Sequence, residues 1–104
     1  MRTRRKSKAL RFLERLSGGP LNLAELLSAI RTGECMSYAR FAALLGISRS
    51  HLCDIEKGRK AVSLGRAVEF AEALGYSKDQ FVRLALQTQV NEAGLRYKVK
   101  LEVA

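Results

Sequence analysis

The sequence has few of the residues on which enzyme and metal chemistry depends. Its 104 residues include one histidine, His51, and two cysteines, Cys35 and Cys53. The cysteines lack the spacing of a metal site, so we expect ordinary packing or surface thiols. His51 has no nucleophile and orienting acid placed beside it in the pattern, and no phosphate-cradling glycine loop is present. The sequence therefore predicts a protein that is not an enzyme and needs no cofactor or metal ion.

Long apolar runs are also missing. No run approaches the roughly 18 residues of a membrane helix, and the basic N-terminus leads into a charged amphipathic stretch instead of the apolar block of a signal peptide. We therefore expect a soluble, cytoplasmic protein that does not engage a membrane. A chain of 104 residues with 47% hydrophobic content is long enough for one small core and too short for two.

Acidic residues are scarce, at 10 against 19 basic ones, and the resulting net charge of +9 fits an anionic partner. Residues 1–16 contribute +6 of this charge, because seven basic residues stand there against Glu14 alone. Such an arm either follows the protein onto DNA, where it adds salt-sensitive affinity, or is a solvated tail that aids solubility. The charge pattern favours neither interpretation.

Residues 38–57 have the pattern of two short helices joined by a sharp corner. Gly46 stands where a left-handed backbone is often required, and Ser48 follows as a side chain able to cap the next helix. The apolar residues of the segment fall at spacings that face one core: Phe41, Leu45, Ile47, Leu52 and Ile55. The segment therefore predicts a helix-turn-helix.

The outward face of the second helix is polar and suits the major groove of double-stranded DNA. Arg49 is the first candidate for base contact, since its planar fork can donate two hydrogen bonds to guanine, worth about 1–3 kcal/mol of discrimination. Ser50 can donate or accept. Asp54 either accepts from the cytosine amino group or orients a neighbouring arginine, and the sequence leaves both roles open.

Basic residues follow this helix directly. Lys57, Arg59 and Lys60 surround Gly58 and suit phosphate oxygens, which set the register on DNA without reading its sequence. Two amphipathic helices separated by a glycine also occur in bundles that never touch nucleic acid. The local basic surface argues against that alternative, because motif and charge together are more specific than either feature alone.

The segment resembles the Cro/XRE family of helix-turn-helix repressors. The resemblance spans about residues 22–86 and is carried by residues 36–38, 46–48 and 55–59. It implies a mainly α fold, a compact five-helix, lambda-repressor-like domain that commonly works as a homodimer on a near-palindromic operator. Small antitoxins of this type have a similar size and layout. A second function is therefore a module that neutralises a protein toxin and autoregulates its operon.

The resemblance also implies roles for individual residues. Arg31 and Glu56 correspond to a structural ion pair. Base-reading positions are Arg49, Ser50 and Asp54, and positions that commonly reach phosphates are Ser48, His51 and Lys57. Packing at the helix edge is the alternative for His51. Two residues depart from the family pattern. Tyr38 stands where a phosphate-contacting Gln is common, although its hydroxyl can still donate, and Arg40 stands where a Glu is common.

Helical patterns elsewhere divide the chain into three parts. Residues 8–16 predict a short N-terminal helix, and the sequence Asn22 to Glu25 forms a capping box that opens a helix ending near Thr32. Ser63 is expected to cap a fourth helix, and Ser77 a fifth that ends near Asn91. We expect a basic N-terminal arm in residues 1–20, a DNA-binding domain in 21–92 and a separate segment in 93–104.

The last segment has a period of two. Apolar residues alternate with charged ones, at Leu95, Tyr97, Val99, Leu101 and Val103. This alternation predicts a single C-terminal β-strand. Because a lone strand leaves its backbone groups unpaired, its partner would be a second copy of the chain or a different protein, such as a toxin. A disordered tail with chance alternation is the remaining alternative.

Overall fold

The computed structural model describes residues 22–104 and contains five α-helices in this part of the chain. They are α1 (Leu23–Gly33), α2 (Tyr38–Leu45), α3 (Arg49–Glu56), α4 (Leu64–Leu74) and α5 (Lys78–Glu92). None of these helices is long and apolar enough to cross a membrane. The predicted basic arm and the helix predicted over residues 8–16 lie outside the described residues.

Each helix begins at a side chain that accepts a backbone N–H group. Asn22 and Glu25 form a reciprocal capping box, in which Asn22 Oδ1 accepts the Glu25 N–H at 2.8 Å and Glu25 Oε1 accepts the Asn22 N–H at 3.3 Å. Serine hydroxyls cap the other four helices, at Ser37, Ser48, Ser63 and Ser77. The helix starts predicted at Asn22, Ser48, Ser63 and Ser77 are confirmed. Local hydrogen bonding explains them, because a cap satisfies amides that the helix leaves unpaired.

One hydrophobic core receives side chains from all five helices. The predicted apolar face of the helix-turn-helix is confirmed: Phe41, Leu45, Leu52 and Ile55 are buried, and Ile47 packs against the core from its edge. Burying each such side chain stabilises the fold by about 1.5–3 kcal/mol. Phe70 and Phe81 from α4 and α5 are also fully buried. The core thus holds one side of α3 and leaves its other side to solvent.

The predicted C-terminal β-strand is wrong for the single chain. Residues 95–104 form no strand, and residues 22–104 contain no other strand with which they could pair. A β-strand exists through its ladder of hydrogen bonds, whereas α-helices satisfy their own backbone groups. The segment nevertheless runs without a turn or bend and is bonded to α5 through Gln87.

Candidate nucleic-acid interface

The corner between α2 and α3 is set by Gly46. Its φ of 77° lies in the left-handed region, and a Cβ built there would meet nothing within 4 Å, so backbone conformation and not space requires glycine. The next residue, Ile47, donates its N–H to the Ala42 carbonyl at 3.0 Å and closes the turn. Ala42 is 1% exposed, which lets the helices approach closely. This corner sets the direction in which α3 leaves α2.

The two sides of α3 differ sharply in exposure. Leu52 and Ile55 are 0% and 1% exposed and anchor the helix in the core. Arg49 and Ser50, in the first turn, are exposed, and His51 is half-buried. The first turn of α3 therefore projects into solvent while the following turn is immobilised by packing.

The end of α3 is tied to α1 by an ion pair between Glu56 and Arg31. Arg31 Nε donates to Glu56 Oε2 at 2.9 Å and Arg31 Nη2 donates to Oε1 at 3.1 Å, a two-pronged geometry. The side chains are 13% and 3% exposed for Arg31 and Glu56, respectively. The hydrogen bond to Glu56 raises the pKa of Arg31 above its ordinary value, while burial acts in the opposite direction. The structure brings these residues together as a clamp inside the domain, beneath the exposed face.

The same arginine connects to the start of α2. Arg31 Nη1 donates to the Met36 carbonyl at 3.2 Å, and its Cζ lies 3.9 Å from the centroid of the Tyr38 ring. Arg49 Cζ lies 6.0 Å from the same centroid. Both distances are in the range of cation–π attraction. The sequence indicates a role for the hydroxyl of Tyr38 but not for its ring, because the ring contact joins residues from three helices and no local spacing reveals it.

Asp54 lies against the basic residues that follow α3. Its Oδ1 accepts from Arg59 Nε at 3.0 Å, and its carbonyl accepts the N–H groups of Arg59 and Lys60 at 2.8 and 3.2 Å. Of the two roles predicted for Asp54, the structure shows the one in which it orients a neighbouring arginine. The Asp54 side chain is 33% exposed in this arrangement.

The segment after α3, residues 57–60, is termed the basic loop. Lys57, Arg59 and Lys60 are exposed, and Gly58 turns the chain with a φ of 77°. The Gly58 N–H donates to the Ile55 carbonyl at 3.0 Å, so the loop folds back onto the end of the helix. Three cations thus flank the helix whose first turn carries Arg49.

Ser48 and Tyr38 stand at helix starts. The Ser48 hydroxyl oxygen accepts the His51 N–H at 3.0 Å, and its own proton is free to be donated outward.

Cys35 is exposed and Cys53 half-buried, both as free thiols. Within residues 22–104, no group of three or more His, Cys, Asp or Glu side chains is arranged to hold a metal ion. The groups of this surface are hydrogen-bond donors and cations, which suit phosphates and base edges.

Comparison with known families decides the class of this surface. Residues 27–81, more than half of the chain, match the family model described as helix-turn-helix. The chain belongs to the Cro/C1/XRE-type helix-turn-helix family. This is a family of DNA-binding transcription regulators, and the matched residues include the whole of α2, the corner, α3 and the basic loop.

A solved structure shares this fold. The chain is similar to the crystal structure of a candidate antidote protein of a plasmid maintenance system from Nostoc punctiforme, with a TM-score of 0.65. The identity is 22%, over 71% of this chain and 81% of that one. No curated protein gives a significant match. At this identity the likeness establishes a common fold.

Arg40 and Tyr38, the two departures that the sequence resemblance implies, lie on or beside the exposed surface. Arg40 is exposed on α2, and its backbone N–H donates to the Ser37 hydroxyl at 3.1 Å. Tyr38 is half-buried and packs against the core with Arg31 stacked on its ring. The first residue replaces a negative charge by a positive one. The second replaces an amide by an aromatic ring between two arginines.

Proposed function

We propose that the protein is a sequence-specific DNA-binding transcription regulator that acts in the cytoplasm as a dimeric repressor. One observation carries the proposal. The first turn of α3 is exposed with Arg49 and Ser50, while Leu52 and Ile55 lock the next turn into the core. A helix held in this way can enter the major groove without losing conformational freedom on binding.

Each group on this surface has a distinct role in the proposed complex. Arg49 donates two hydrogen bonds to guanine O6 and N7, and Ser50 contacts the adjacent base. Asp54 acts mainly by holding Arg59 in place, since the two are already paired at 3.0 Å. Residues that contact the DNA backbone are Tyr38, Ser48, His51, Lys57, Arg59 and Lys60.

Dimerisation follows from the size of the reading surface. Four or so base pairs contacted by one short helix carry too little information to select an operator, whereas two copies related by a two-fold axis read both halves of a palindrome. Such a dimer bound over a promoter blocks transcription by occupying the site. A reporter whose promoter contains the selected operator should lose expression when the protein is present. Increased expression would show that the protein is an activator and not a repressor.

The binding proposal is tested by selecting bound sequences from a random DNA pool and measuring stoichiometry on the best site. We expect two inverted half-sites about 34 Å apart, or a multiple of that distance, occupied by two chains. Arg49→Ala should lower the preference for the selected site by about 5- to 150-fold, the equivalent of roughly 1–3 kcal/mol. The matched control is Lys78→Ala, which removes one exposed charge from α5. If Arg49→Ala keeps both affinity and site preference, Arg49 is not the reading residue.

A second candidate function is an antitoxin that neutralises a protein toxin and autoregulates its operon. It is supported by the fold shared with the Nostoc protein and by the exposed apolar side chains of residues 95–104. The test is co-purification from the native host with the full chain and with chains lacking residues 1–16 or 95–104. A toxin should arrest growth when expressed alone and be relieved by the full chain. Unchanged protein contacts in both deletions would remove this candidate.

A further inference from the structure

Gln87 is a buried polar residue whose side chain holds the C-terminal segment, residues 95–104. It is 5% exposed, although amide side chains are usually in water. Its Nε2 donates to the Tyr97 carbonyl at 2.8 Å and to Asn91 Oδ1 at 2.9 Å, and its Oε1 accepts the Val99 N–H at 2.8 Å. Both N–H hydrogens and the oxygen of this buried amide are therefore hydrogen-bonded. Two of the three bonds go to the backbone of the C-terminal segment.

These two backbone bonds establish how the segment is oriented. In an extended chain the carbonyl of one residue and the N–H of the residue two positions later point to the same edge, and residues 95–104 contain no turn or bend. Gln87 bonds this pair across Lys98, so its amide takes the place of one peptide unit of a neighbouring strand. The N–H and C=O of Lys98 then point to the opposite edge, where they have no hydrogen-bond partner among residues 22–104.

Most apolar side chains of the segment are exposed to solvent. Those of odd-numbered residues are apolar and largely in solvent, at 48% exposure for Leu95, 68% for Tyr97, 42% for Leu101 and 83% for Val103. Val99, nearest to Gln87, is half-buried. An extended segment with an apolar face and unpaired backbone groups along one edge is a template for pairing with another chain.

We propose that this edge pairs antiparallel with the same segment of a second copy, about a two-fold axis through Val99. The pairing uses the backbone groups of even-numbered residues, which Gln87 leaves open. By symmetry Arg96 of each copy then faces Glu102 of the other. Apolar residues also face each other, in the pairs Leu95 with Val103, Tyr97 with Leu101, and Val99 with Val99.

Charge disfavours one neighbouring register, and apolar pairing disfavours the other. With the axis moved to Lys98, every cross-strand pair of charged residues is like-charged, which is destabilising. With the axis at Lys100, Lys98 faces Glu102 but Lys100 faces itself, and Leu95 has no partner among residues 22–104. The Val99 register pairs every apolar residue of residues 95–103, and its two attractive contacts between Arg96 and Glu102 stand against two repulsive contacts between Lys98 and Lys100. The inference deepens the dimer of the proposed function and rests on that dimer, but it does not depend on which DNA is read.

A charge swap in the full-length chain tests the pairing. Arg96→Glu and Glu102→Arg should each raise the dimer dissociation constant about tenfold, because two attractive pairs become repulsive, and the double variant should restore it to within about threefold. Lys98→Glu is the matched control and should leave the dimer intact or tighten it. Dimerisation is measured without DNA by sedimentation, with circular dichroism reporting folding. Unchanged single variants, no rescue by the double variant, or loss of the dimer in Lys98→Glu would overturn the inference.

A cysteine placed on the axis tests the register directly. Residues facing across a non-hydrogen-bonded antiparallel pair have Cα atoms about 4.5 Å apart, within reach of a disulfide. In a chain with Cys35→Ser and Cys53→Ser, Val99→Cys should cross-link to itself under mild oxidation, and Leu101→Cys should do so far less. Equal cross-linking at both positions would sink the register.

Binding to the selected DNA separates this inference from the proposed function. If the swap variants stay dimeric and still discriminate between DNA sequences, the dimer forms elsewhere and only the C-terminal pairing fails. If the unsubstituted chain and every variant are monomeric on and off DNA, the proposed dimer fails as well. If the dimer behaves as expected but no sequence is preferred, the pairing stands and base reading fails.

Discussion

The guanidinium carbon of Arg49 lies 6.0 Å from the centre of the Tyr38 ring, and that of Arg31 lies 3.9 Å from it. The ring thus links an arginine clamped to Glu56 inside the domain with the arginine proposed to read bases. An aromatic face near a partly exposed guanidinium contributes about 0.5–1 kcal/mol. We expect the ring to narrow the range of positions that Arg49 samples before it meets DNA.

Replacing Tyr38 should separate the effect of the ring from that of the hydroxyl. Tyr38→Phe keeps the ring and should weaken binding to all DNA slightly while preserving site preference. Tyr38→Leu should lower site preference about two- to fivefold, since the attraction to Arg49 is lost. Both are measured by competition between the selected site and random DNA. Equal site preference in the two variants would show that the ring does not position Arg49.

Breaking the ion pair between Arg31 and Glu56 should destabilise the domain strongly. Glu56→Ala leaves a guanidinium that is 13% exposed without its partner, and we expect a loss of about 3–5 kcal/mol in the free energy of unfolding. The combined replacement Arg31→Met and Glu56→Leu removes both charges and should cost much less. Urea denaturation measures both variants. A double variant as unstable as the single one would mean that packing and not charge explains the loss.

The basic loop should contribute to affinity without contributing to site preference. Lys57→Ala and Lys60→Ala should each weaken binding to every sequence alike. Each should also reduce the slope of log affinity against log salt by about 0.9, the contribution of one phosphate contact. Titrations at several salt concentrations measure the slope, with Lys78→Ala as control. A change in site preference without a change in slope would assign these lysines to base reading.

Substitution of the corner glycine, Gly46, should destabilise the domain because of its backbone conformation alone. Gly46→Ala places a Cβ in open space but at a φ of 77°, so we expect a loss of about 1–2 kcal/mol in stability. Gly65, the second residue of α4, also has nothing within 4 Å and has no positive φ, and Gly65→Ala should stabilise by about 0.5 kcal/mol. Thermal unfolding compares the two. A stable Gly46→Ala variant would show that the left-handed corner is not required.

The parts of the fold that could be predicted from sequence are those set by interactions between residues close together in the chain. The caps at Asn22 and Ser48 depend on an amide three residues away, and the corner at Gly46 depends on one backbone angle. Helical spacing located the buried face of α3 for a similar reason, since a period of 3.6 residues repeats within a few turns. Of the exposed surface, the sequence identified the residues but not their mutual contacts.

The C-terminal segment shows where local patterns stop being sufficient. Its alternation of apolar and charged residues is real, yet a strand needs a partner and residues 22–104 offer none. What holds the segment instead is Gln87, whose bonds reach residues 10 and 12 positions later and whose polar side chain resembles that of any solvated helix residue. Nothing in its sequence neighbourhood marks it.

Composition and short-range spacing by themselves determined the α-helical class, the helix starts, the glycine corner and the cationic character of this protein, because each depends on interactions between residues close in sequence. Only the tertiary structure decided that Asp54 holds Arg59, that Tyr38 lies beside two arginines, and that a buried glutamine bonds the backbone at Tyr97 and Val99. Those contacts join separate elements, and their geometry exists only after the core has packed the helices against one another.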